Sequence, residues 1–93
     1  MRFAEWQRLM DETYGDRDRA RGLAASVAWL AEEVGELAKA ARKGSQAEQE
    51  EELADALAWL ASIANQLGLS MEVAVANRYG AGCPKCNMIP CNC

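Results

Sequence analysis

LAASVAWLAEEVGELAKAARKGSQAEQEEELADALAWLASIANQL, residues 23–67, decides the fold. Leu23, Val27, Leu30, Val34, Leu37 and Ala41 recur at steps of four and three, and Leu53, Leu57, Leu60, Ala64 and Leu67 repeat the pattern. This is the period of a helix with one apolar stripe, not the alternation of a strand. Lys43-Gly44-Ser45 divides the stretch in two. Arg42 and Lys43 suit a helix C-terminus. Ser45-Gln46-Ala47-Glu48 has the form of a capping box, so the second helix is expected to begin at Ser45 and run to about Leu67. So short a connection folds the two helices back antiparallel.

Outward from this hairpin, the punctuation predicts shorter pieces. Phe3, Trp6, Leu9 and Met10 share one side of a helix expected over Phe3 to Tyr14, with Gly15 as its stop. Asp16 to Gly22 reads as a charged connection. Gly68 ends the second long helix, and Ser70 caps a final helix from Met71 to about Tyr79. The expected fold is all-α: an antiparallel helical hairpin plus short terminal helices, organised as a helical domain over 1–80 and a Cys-rich tail over 81–93. Helices of about 20 residues are about 30 Å long, and such short end pieces cannot wrap both sides of the hairpin. A second apolar flank, Trp29 and Ala40 with Ala56, Trp59 and Ile63, therefore needs cover. Either a second copy supplies it, completing a four-helix-type bundle in a dimer or tetramer, or the terminal helices supply it in a monomer. We take the homo-oligomer as the expectation.

Composition narrows the chemistry. Ninety-three residues that are 51% hydrophobic and 26% charged make one folded domain. A net charge of −4, from 14 acidic and 10 basic residues, argues against a nucleic-acid partner. No apolar run reaches the ~18 residues of a membrane span, and Met1-Arg-Phe-Ala-Glu-Trp lacks the apolar region of a signal peptide. No membrane partner and a cytoplasmic location are expected. There is no His, which excludes imidazole metal ligands, Ser–His and Cys–His nucleophiles and imidazole acid–base catalysis. Chemistry must come from carboxylates, bound metal, Lys, Arg, Tyr or Cys.

The acidic residues carry the functional signal. Glu33 and Glu36 are an i, i+3 pair on the first long helix, and Glu52 and Asp55 are another on the second. Counted from Ser45, the first pair lies 12 and 9 residues back and the second 7 and 10 forward. At about 1.5 Å per residue both pairs stand roughly 10–18 Å from the bend, so they face each other at one level. Carboxylates about 5 Å apart cost about 3 kcal/mol per pair at an effective dielectric near 20. Either the side chains turn apart into water, as a solvated acidic face does, or a cation sits among them. Oxygen ligands without His favour Mg²⁺ or Mn²⁺. Trp29 and Trp59 fall one to two turns further from the bend. They serve either as core or interface residues or as an aromatic floor for a nucleobase.

The four cysteines, Cys83, Cys86, Cys91 and Cys93, crowd into the last eleven residues as CxxC and CxC. Four thiolates suffice for one tetrahedral Zn²⁺. Free or redox-active thiols and disulfides are the alternatives, and structural zinc is the expectation.

Trp29-Leu-Ala-Glu-Glu-Val-Gly-Glu-Leu-Ala-Lys-Ala, followed by Glu51-Glu-Leu-Ala-Asp-Ala-Leu-Ala-Trp-Leu-Ala, resembles the MazG-like nucleotide pyrophosphohydrolases of the all-α NTP pyrophosphatase superfamily. Their EExxE motif is matched by Glu32, Glu33 and Glu36, and their ExxD by Glu52 and Asp55. The resemblance extends over nearly the whole chain, including the Cys-rich tail of small forms. It implies a helical oligomer that hydrolyses nucleoside triphosphates to monophosphate and pyrophosphate in nucleotide-pool sanitation. It implies Mg²⁺ on Glu33, Glu36, Glu52 and Asp55, with Glu32 as an auxiliary carboxylate that orients or activates water. Ala25-Ser26 stands where similar proteins tend to have Lys-Thr, and Asn77-Arg78-Tyr79 where a Lys often precedes the Tyr. Phosphate-facing cations are then either missing or supplied by Arg21, Lys39 or Arg78. Hydrolysis of phosphoribosyl-ATP, or a non-catalytic helical module that binds zinc and a partner, are the alternative functions.

Overall fold

The computed structural model describes residues 1–93 as four helices with no strand: α1 (Phe3–Arg21), α2 (Leu23–Lys43), α3 (Gln46–Leu67) and α4 (Met71–Tyr79). The all-α expectation holds, and no helix is long and apolar enough to cross a membrane.

The hairpin of α2 and α3 forms as its sequence dictates. Ser45 Oγ accepts from the Glu48 backbone N–H at 3.2 Å while Glu48 Oε1 accepts from the Ser45 N–H at 3.3 Å, closing the capping box. Gly68, at a φ of 70°, ends α3 in the left-handed conformation that glycine adopts without a Cβ penalty. Ser70 Oγ caps α4 by accepting from Val73 N–H.

α1 departs from its expected end. It runs through Gly15 to Arg21, so it spans 19 residues rather than forming a short terminal helix, and only Gly22, at a φ of 92°, separates it from α2. Glycine inside a helix costs about 1 kcal/mol relative to alanine. Gly15 is buried beneath α1's own Asp11–Arg19 ion pair, at 2.7 Å, which occupies the space a Cβ would need, and α1 as a whole lies mainly against α3. Gln7, also buried, ties three helices together. Its Nε2 donates to Asn65 Oδ1 at 2.9 Å and to Leu69 O at 2.8 Å, and its Oε1 accepts from Met71 N–H at 2.8 Å.

The faces of the hairpin are assigned differently from the expectation. The seam between α2 and α3 follows Ser26, Leu30, Glu33, Leu37 and Ala40 against Gln49, Glu52, Ala56, Trp59, Ile63 and Gln66, each buried or half-buried. This is the flank of Ala40, Ala56, Trp59 and Ile63 that was expected to await a partner. The remaining members of the Leu stripe point outward: Leu23, Val27, Val34, Leu53, Leu57, Leu60 and Leu67 are 38–52% exposed. Small and polar side chains let the helices approach closely along the seam, and glutamines tie both its ends. Gln49 Nε2 donates to Ala40 O at 3.0 Å near the bend, and Gln66 Nε2 donates to Ser26 Oγ at 2.8 Å and Ser62 Oγ at 3.0 Å at the far end.

Candidate active site

Glu33 stands at a seam position of α2, between Leu30 and Leu37, and Glu52 at a seam position of α3. Glu36 joins them from the next turn of α2. Ligand oxygens of these three carboxylates lie within 4.8 Å of one another. Glu33 Oε1 and Glu52 Oε2 are buried, and no amide, hydroxyl or cationic donor reaches either.

Two buried acceptors without donors are costly, and the protonation of the cluster shows it. Hydrogen bonding to the Glu52 carboxyl, then desolvation, then the charges of Glu36, Glu52 and Asp55 push the Glu33 pKa up to about 7. Glu36 is raised in the same direction, first by hydrogen bonding to Glu52 and next by its charge. The sites open to these oxygens are a proton shared between carboxyls or a cation.

The cluster sits between two clefts. One, of about 360 Å³, is lined by Glu36 and Glu52 together with Lys39, Lys43 and the bend at Gly44. The other, of about 290 Å³, holds Glu33 and Asp55 beside Tyr14, Arg17, Asp18, Arg21 and Trp59. Trp59 makes two further contacts at the second cleft. Trp29 stacks on it at 5.9 Å between ring centroids and 8° between planes, and the Arg21 guanidinium lies 4.8 Å from its centroid. Asp18 holds that guanidinium with Oδ1 at 2.7 Å from Nη1.

Residues 21–84 match the MazG nucleotide pyrophosphohydrolase domain. The chain belongs to the MazG nucleotide pyrophosphohydrolase family. No curated protein gives a match. MazG proteins are metal-dependent in general, and the residues present fit a divalent cation. Three carboxylates converge, and two of their oxygens are buried without a donor.

The expected site residues separate into those brought together and those kept apart. Glu33, Glu36 and Glu52 converge, while Asp55 stands outside that group and contributes its charge from the second cleft. Glu32 is exposed, close enough to Glu36 to raise its pKa, and lines neither cleft. Lys39 and Arg21 line one cleft each; Arg78, exposed on α4, lines neither. Trp29 and Trp59 face each other rather than standing free. Tyr14, Arg17 and Asp18 of α1 and Lys43 of α2 are additions that sequence reasoning missed. A signal for α1 existed: Tyr14, Arg17 or Asp18, and Arg21 follow helical spacing straight through Gly15.

The four cysteines are free and also converge, with their sulfurs within 4.8 Å of one another. Hydrogen bonds from the backbone of Cys86 and Lys85 hold the Cys83 thiol down at about 6, whereas the neighbouring thiols Cys91, Cys86 and Cys83 push Cys93 up to about 11.

Proposed function

We propose that this MazG-family protein hydrolyses a nucleoside triphosphate, NTP or dNTP, to the monophosphate and pyrophosphate, with Mg²⁺ or Mn²⁺ held by Glu33, Glu36, Glu52 and Asp55. The observation that carries the reading is the pair of buried oxygens, Glu33 Oε1 and Glu52 Oε2, that lie in a three-carboxylate cluster without a donor. A bound divalent cation would offset the charge of the phosphates and make a coordinated water more acidic.

The chain's own side chains divide the remaining work. Lys39 and Lys43 attract the outer phosphates in the first cleft, where they offset the acidic surroundings. Arg17 and Arg21 meet the inner phosphate or sugar, and the Tyr14 and Trp59 rings border the base in the second cleft. Water attacks the α phosphorus, the bond to the oxygen bridging toward the β phosphorus breaks, and pyrophosphate leaves. The proton of the attacking water passes to a carboxylate, since no imidazole exists. Glu32 and Glu33 are assigned to this role: Glu32 is exposed beside the cluster, and Glu33 stands within it.

The exposed Leu face supports a homo-oligomer, with a second copy of the chain as its occupant. Two apolar helix surfaces lie side by side there, and the lone chain buries only Ala40, Ala56 and Ala61 among its hydrophobic residues.

A pyrophosphate-release screen over the common NTPs and dNTPs, with phosphoribosyl-ATP included, tests the assignment. Glu36→Gln and Asp55→Asn are expected to lower kcat/KM by at least about 100-fold, since loss of even an outer-shell partner of a metal ligand costs about 10–100-fold. Metal-replete protein that releases pyrophosphate from no nucleotide would overturn it.

A further inference from the structure

The tail beyond α4 has no part in the carboxylate site, and the family match ends at Pro84, so three of its four cysteines lie outside that match. We propose that Cys83, Cys86, Cys91 and Cys93 form a closed tetrathiolate site for one Zn²⁺, a second metal centre separate from the carboxylates.

The geometry carries this. Cys83 Sγ lies 3.7 Å from Cys93 Sγ, and Cys86 Sγ lies 4.0 Å from Cys91 Sγ. A disulfide needs about 2.05 Å, so these sulfurs are not bonded to each other. A tetrahedron with Zn–S bonds of about 2.3 Å has sulfur–sulfur edges of about 3.8 Å, which matches both pairs. All four sulfurs fall within 4.8 Å of one another, so a single ion could take all four as ligands. That is the arrangement of a structural site.

The backbone is folded to serve the sulfurs. Asn92 N–H and Cys93 N–H donate to Cys86 Sγ and Cys91 Sγ, each at 3.4 Å. Lys85 and Cys86 amides point at Cys83, and the Met88 amide at Cys86. Amide donors stabilise thiolate charge without competing for the metal. Asn87 turns the chain after the CxxC with a φ of 56°, a conformation that asparagine tolerates better than most side chains. Gly82, at a φ of 100°, admits the returning strand of the loop: a Cβ there would stand 2.9 Å from Met88 O. The loop has little else to hold it, because residues 87–93 are all exposed. Metal binding is the term that orders such a segment.

Full-length protein, purified under reducing conditions from zinc-supplemented medium, is assayed for metal by inductively coupled plasma mass spectrometry. The expected result is one zinc per chain, retained in Glu36→Gln and lost in Cys86→Ser and in Cys83→Ser/Cys91→Ser. Far-ultraviolet circular dichroism is expected to show the four helices intact in all variants. Cobalt substitution should give the visible bands and thiolate charge transfer of a tetrahedral tetrathiolate. Four titratable thiols without metal, a mass lowered by disulfide formation, iron in place of zinc, or zinc that leaves with Glu36→Gln instead of with the cysteines would each overturn the proposal. None of these results depends on nucleotide hydrolysis, so the two readings fail separately.

Discussion

Glu33 occupies a seam position where Leu30 and Leu37, a turn away on either side, would lead one to expect another apolar side chain. Its oxygen Oε1 is buried without a donor, and its pKa is raised from 4.5 to about 7. A carboxyl whose folded pKa lies above its unfolded value holds its proton longer in the native state. Stability therefore falls as pH rises from 4.5 toward 7, and the penalty is complete above that. Glu33→Gln removes it. Metal-free Glu33→Gln should melt higher than the parent at pH 8, by on the order of 5 °C once solvent screening is allowed for, and little differently at pH 5. Thermal melts at the two pH values check this, and Mg²⁺ should raise the parent's Tm at pH 8 while leaving the variant nearly unmoved. The i, i+3 spacing and the count from Ser45 made Glu33, Glu36 and Glu52 legible in the sequence. The same arithmetic did not separate Asp55, because rise along the axis says nothing about which side chains turn inward. The Arg21–Asp18 pair and the Arg21–Trp59 contact are hidden for another reason: they depend on α1, whose second half reads from the sequence as a charged connection.

At the scale of elements, α1 is the instructive one. Local propensity at Gly15 favours a break, yet the helix stays whole through Arg21, with the Asp11–Arg19 ion pair closed over Gly15 and the Arg21–Asp18 pair beyond it. Continuity matters for the site, since Tyr14, Arg17 and Arg21 of this helix wall the cleft around Trp59. Gln7 holds the other end of α1. Removing its amide leaves the Met71 N–H and the Leu69 carbonyl without their partner. Gln7→Ala should cost roughly 2 kcal/mol and lower Tm by about 10 °C, with the acidic cluster unaltered and metal-dependent stabilisation preserved; calorimetry with and without Mg²⁺ measures both. The caps at Ser45 and Ser70 and the stop at Gly68 were readable because each acts within a few residues. The choice of which apolar flank lines the seam was not. Leu30 and Leu37 do turn inward, but small residues such as Ser26, Ala40, Ala56 and Ser62 win the close approach that the larger stripe cannot make.

The whole molecule is open for its size. Its radius of gyration is 15.2 Å, against about 12 Å for a compact chain of this length. Its accessible surface is 6703 Å², against about 5,300 Å² for a folded monomer of 10.1 kDa. The excess, roughly 1,400 Å² per chain, exceeds the ~800 Å² that each partner contributes to a standard interface. Leu53, Leu57, Leu60 and Leu67, with Leu23, Val27 and Val34, are among the large apolar side chains exposed on that surface. Leu57→Glu/Leu60→Glu should convert an oligomer into a 10.1 kDa monomer in sedimentation equilibrium, with a lower Tm. A parent chain that already sediments as a monomer at micromolar concentration would refute the assembly.

Three alanines are the only hydrophobic side chains that a solitary chain buries. In the proposed homo-oligomer, folding and association would be parts of one equilibrium, and dilution would weaken both. Under that proposed assembly a cell making few copies would hold more of its supply unfolded and open to proteases, so expression level would set not just the amount of this protein but the fraction of it that works.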